Sequence, residues 1–154
     1  ALVTANRLIT CVASMVDMPL WSPSTKDLLC RATALLILEG RSAEELCATL
    51  SHAFIYAVGL ERAAKKPMPD AEVARIQVLL ICIADAYLHE KPVSFKKWHS
   101  ELFRKACTFG TLNAANNLLL RRLNFSLQVD QSEFLAMYNP LLDACQGMPL
   151  QVFF

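Results

Sequence analysis

The sequence predicts an all-α protein, and three observations carry that prediction. No stretch of its 154 residues alternates apolar and polar side chains with the period of two that a half-buried strand needs. The four glycines and seven prolines fall mainly between apolar segments of helical periodicity. Three of those segments open on a serine or aspartate with an acid three residues on, a pattern that satisfies free N–H groups at a helix start.

Taken in order, residues 2 to 16 read as a first helix with Leu2, Ile9, Val12 and Val16 near one face, broken by MPLWSP. Ser24, with Asp27 three residues on, is expected to cap a second helix that runs through DLLCRATALLILE to Gly40, a residue suited to the position just past a helix end. Ser42 and Glu45 form a capping box for a third helix, residues 44 to 65, stopped by Pro67. Gly59 lies inside it, where glycine costs about 1 kcal/mol relative to alanine. The expected reason is close approach of another helix.

Asp70 is expected to cap a fourth helix, AEVARIQVLLICIADAYL, in which residues 78 to 84 are apolar on every side. A helix of that kind must be enclosed by others, so it is predicted to be the central element. Ser94 opens a fifth helix to Ala106, a Thr-Phe-Gly turn follows, and Thr111 opens a sixth to Leu123. Asp130, with Glu133, caps a last helix that runs to Gln146, before Gly147. The connections are short and no internal repeat is visible, so residues 1–154 read as one domain.

Composition narrows the function classes. Hydrophobic residues make up 55% of the chain, above the usual ~45–50%, and charged residues only 19%. That surplus implies a thick core, an apolar interaction surface, or both. A net charge of +1 and basic runs no longer than two residues argue against a nucleic-acid binder. The six cysteines are scattered, the nearest pair, Cys30 and Cys47, being 17 residues apart. They read as buried free thiols and neither a zinc site nor a disulfide framework. No apolar run reaches the ~18 residues needed to span a bilayer, so a soluble cytoplasmic or nuclear protein is expected.

Candidate chemistry is sparse. Asp85 and His89 stand four apart and would share a helix face, the spacing of a metal or acid/base pair. However, HEKP lacks the second histidine of a zinc-protease motif, and Pro92 would interrupt the helix, so the pair reads as a solvated helix end. His99 and Cys107 are eight residues apart, a spacing that defines no nucleophile–base geometry, and the cysteine reads as a buried thiol. The pairs Lys65-Lys66, Lys96-Lys97 and Arg121-Arg122 read as solvated faces. With no phosphate loop and no serine elbow, no enzyme, cofactor or metal is expected, and an interaction protein remains.

One long stretch resembles the cyclin box. HAFIYAVGLERAAKK, RIQVLLICIADAYLHEKPVSFKKWHSELF and LNAANNLLLRRLNFSLQV are similar in order, spacing and apolar pattern to the second through fifth helices of that five-helix fold. Leu60-Glu61-Arg62 stands where cyclins carry an apolar residue, an acid and an arginine, and Cys30-Arg31-Ala32 is similar to the Met-Arg-Ala of their first helix. The similarity spans residues 24 to 129 and is most specific over 83 to 127. In pattern it is nearest to the single-box, phosphate-regulating P-type cyclins.

The resemblance implies a cyclin-like five-helix bundle around a buried central helix, with an extra helix at each end. It implies a non-catalytic subunit that docks on a cyclin-dependent protein kinase, with no other partner needed, and holds the kinase's mobile helix in its active position. Position by position, it assigns the kinase-facing surface to Ile83, Ala86 and Tyr87 on the fourth helix, Asn116 and Leu120 on the sixth, and Phe125 and Leu127 just beyond. Cyclins place a lysine where this chain has Ala86 and a glutamate where it has Asn116. An adaptor of the same fold that activates no kinase is the alternative.

Overall fold

Helix starts follow from which side chain reaches the free N–H groups of the first turn. Residues 1–15, 21–63 and 69–146 are described by a computed structural model, and among them the regular structure is helical, without strands. The α-helices are α1 Leu2–Met15, α2 Pro23–Leu38, α3 Ala43–Ala63, α4 Asp70–Leu88, α5 Phe95–Trp98, α6 Phe109–Arg122 and α7 Gln131–Gln146. The short α5 continues into one π-helical turn, His99–Phe103. Three expected caps are present. Ser42 and Glu45 form the reciprocal box, with Glu45 N–H donating to Ser42 Oγ (3.1 Å) and Ser42 N–H to Glu45 Oε1 (2.9 Å). Ser94 Oγ accepts from Lys97 N–H, and Asp130 Oδ2 from Glu133 N–H.

Three starts differ from expectation. Ser22, not Ser24, caps α2, because Pro23 occupies the first helical position, where its missing N–H costs nothing. Thr108 caps α6 by accepting from Thr111 N–H, which draws Phe109 and Gly110 into the helix. Pro69 stands at the N-cap of α4, with Asp70 as the first helical residue. The expected features at Val16, in the first half of MPLWSP, and at Lys65-Lys66, Pro67 and Gly147 lie outside the described residues.

The core forms around α4. Residues 78 to 84 are all buried, Val78, Leu80, Ile81 and Ala84 completely, as the all-round apolarity predicts. α4 packs against α2, α3 and α6, while α7 lies on α3 and α1, and α1 on α2. α2 is a second enclosed helix, with residues 32 to 37 buried on every side. On α1, Thr4, Ala5, Leu8, Ile9 and Val12 form the inner face, but Leu2, the first helical residue, is 59% exposed, because the cover that reaches Thr4 and Ala5 stops short of it. Gly59 is also a correction. It is exposed, and a Cβ there would have no neighbour within 4 Å, so no described helix approaches it.

Candidate functional site

The chain leaves α2 and α6 through the same kind of turn. At the end of α2, Gly40 takes φ 89° while its N–H donates to Ile37 O and Arg41 N–H to Leu36 O, a Schellman motif. At the end of α6, Asn124 N–H donates to Arg121 O and Phe125 N–H to Leu120 O. Here the left-handed positions are Asn124 (φ 53°) and Phe125 (φ 54°). Asparagine tolerates that region, whereas a bulky side chain costs about 1–2 kcal/mol there. The two turns send their next side chain in opposite directions: Arg41 into the protein, Phe125 into solvent.

Arg41 is only 9% exposed and meets Asp85, which is completely buried near the C-terminal end of α4. Arg41 Nε donates to Asp85 Oδ1 at 2.9 Å, and Nη2 lies 2.8 Å from the same oxygen. Nη2 also donates to Lys91 O, and the other carboxylate oxygen accepts Val93 N–H at 2.9 Å. The charge is therefore paired and its lone pairs used, the condition for burying a carboxylate. His89 completes the knot. Thr49 hydroxyl donates to Glu45 O, so the 2.9 Å contact between Thr49 Oγ1 and His89 Nε2 has the imidazole N–H as donor. Its Nδ1 lies 3.6 Å from Glu45 Oε2. The hydrogen bond from Ser42's backbone N–H holds the Glu45 carboxyl below its usual range.

Asp85 and His89 thus differ from the solvated helix end expected of them. The physical reason is Arg41, 44 residues earlier, which reaches Asp85 only once the turn after α2 has formed. Nor do they form a metal centre: among the described residues, no three His, Cys, Asp or Glu side chains are placed to hold an ion.

With Asp85 pointing inward, the next two residues point out. Ala86 is exposed and Tyr87 is 48% exposed. Tyr87 lies beside His52 of α3, with ring centroids 6.3 Å apart, and His52 lies beside Tyr56 at 6.1 Å. The Tyr56 hydroxyl donates to Leu127 O, which ties the segment after α6 to α3. Burial pushes the Tyr56 phenol above its usual range. From α7, Phe134 packs on His52 at 5.2 Å and stacks on Tyr138.

Phe125, two residues before Leu127, is 67% exposed, while Leu120, Leu127 and Asn116 are half-buried. Asn116 Oδ1 has no hydrogen-bond partner among the described residues. Ile83, at 4% exposure, belongs to the core. His52, Tyr56, Phe134 and Tyr138 were not among the residues picked out by sequence. The legible signal was their spacing, since each pair stands four apart on one helix.

A concavity lies beside the Lys96-Lys97 segment. Lys96, His99, Ser100, Arg104 and Phe109 line an open pocket of about 470 Å³ between the π turn and α6. His99 Nε2 donates to Cys107 O at 2.7 Å, so imidazole and thiol are not arranged as base and nucleophile. Lys97, outside the pocket, pairs with Glu39. No described helix is long and apolar enough to cross a membrane. Compared with family models, curated proteins and solved structures, the chain matches none of them.

Proposed function

We propose that this chain is a cyclin-like regulatory subunit that binds and activates a cyclin-dependent protein kinase through the ends of α4 and α6. The reading rests on the resemblance over residues 24 to 129 and on one observation: two large apolar side chains, Tyr87 and Phe125, stand exposed at these helix ends. Buried aromatic anchors contribute most to the energy of protein interfaces. The chain supplies packing and no reacting group. It works in the cytoplasm or nucleus, as a monomer apart from the kinase.

Ala86 and Asn116 stand where the family carries a lysine and a glutamate. Losing both avoids a stranded buried charge but removes charge-assisted contacts of about 1.5–3 kcal/mol each. This is the observation that favours the second reading, an adaptor of the same fold that grips a different protein.

The test is recovery of the tagged chain from cells of its source organism, with partners identified by mass spectrometry. A cyclin-dependent kinase should be recovered with the wild type, and Phe125→Asp should weaken that association by roughly 30-fold or more. Because Phe125 is exposed, the substitution should leave thermal stability intact. Kinase recovery undiminished by Phe125→Asp would refute the surface. Recovery of non-kinase partners alone would favour the adaptor.

A further inference from the structure

The cysteines are distant in sequence but not in space. Cys47 on α3 and Cys145 on α7, 98 residues apart, place their sulfurs 3.6 Å from each other, and both side chains are buried. Cys11 on α1 lies close by, its Sγ 3.9 Å from Pro140 O of α7. All six cysteines are free thiols. Three helices therefore bring thiols to one end of the core, yet no metal-holding group exists among the described residues.

We propose that Cys47 and Cys145 form a reversible disulfide that fastens α7 to α3 under peroxide. The sulfurs must close by about 1.5 Å to reach bonding distance. The end of α7 permits this movement. Cys145 is one residue from the end of the helix, and Pro140, one turn earlier, has no N–H to give the carbonyl four residues back. Opening of that last turn admits hydrogen peroxide, a small oxidant, to Cys145.

Cys145, one residue from the end of α7, is the sulfur that attacks peroxide first. The hydrogen bond with Cys47 holds its thiol below the usual range, while the same contact and burial push Cys47 up. Peroxide transfers one oxygen to Cys145, giving a sulfenic acid and water. Cys47 sulfur then attacks Cys145 sulfur. The S–S bond forms, the S–O bond breaks, and hydroxide leaves with the Cys47 proton as a second water. In total two thiols give up two electrons and two protons, and one peroxide becomes two waters.

The cross-link would fix the helix that carries Phe134 and Tyr138 against His52, directly behind the exposed Tyr87. The inference does not depend on what docks there.

The experiment uses the full chain, reduced and then treated with stoichiometric hydrogen peroxide. Remaining thiols are alkylated, and the digest is mapped by mass spectrometry. The expected result is a Cys47–Cys145 peptide, with two of the six thiols protected, and a rise in Tm of roughly 5–10 °C that dithiothreitol reverses. Cys145→Ala, and separately Cys47→Ala, should lose both effects. Should either variant fold poorly, the wild-type map alone decides. Six alkylated thiols in the folded, peroxide-treated protein would overturn the proposal. So would a Cys11–Cys145 link in place of the expected one, or conversion to sulfinic and sulfonic acids with no link.

Discussion

Arg41 shows what a single side chain can do for a carboxylate that sequence would have left in water. Removing it in Arg41→Ala strands a completely buried charge, at a cost of about 3–5 kcal/mol, a large part of the 5–15 kcal/mol that holds a typical domain folded. The urea midpoint should fall accordingly. Arg41→Met with Asp85→Asn should recover much of the loss, because the amide oxygen still accepts Val93 N–H and no charge remains. At this scale the sequence was half legible. The i, i+4 spacing of Asp85 and His89 correctly put them together, with Asp85 Oδ1 and His89 Nε2 3.8 Å apart, but spacing carries no information about an arginine in another turn.

Helices were easier to read than their first residues. Where serine and acid bond reciprocally, as at Ser42 and Glu45, the pattern gave the start of α3 to within a residue. Where proline or threonine competes for the same role, as at Pro23 and Thr108, the helix starts earlier than the nearest serine or threonine suggested. Gly59 is the element-scale error that turns into a prediction. Exposed, one turn before the end of α3, with free space around it, it gives up helix propensity for no packing gain. Gly59→Ala should stabilise the protein by about 0.5–1 kcal/mol, seen as a higher denaturant midpoint with an unchanged slope.

His52 joins α3, α4 and α7 through its aromatic neighbours, so its titration is felt by the molecule as a whole. Burial lowers its pKa from the ordinary 6.5, with the hydrogen bond to Ala48 O opposing that shift. As pH falls through 6.5, the unfolded chain takes up this proton before the folded one does, so stability drops through that window and levels off below the folded value. Thermal unfolding between about pH 7.5 and 5.5 should show this step in the wild type, and His52→Gln should lessen it.

Of the seven side chains assigned by resemblance, the all-round apolarity of α4 made burial of Ile83 foreseeable. The exposure of Phe125 was not, because it depends on two successive left-handed residues that no periodicity encodes. The buried ion pair has a consequence for the whole arrangement. A helix wrapped in apolar neighbours on every side carries little information about its rotation about its own axis, since each face can be buried equally well. Asp85 breaks that degeneracy, because only one setting aims its carboxylate at Arg41 and the Val93 amide. Ala86, about 100° further round the helix, is turned to the outside by the same choice. A charge hidden from solvent thereby acts as an index pin for the face that solvent sees.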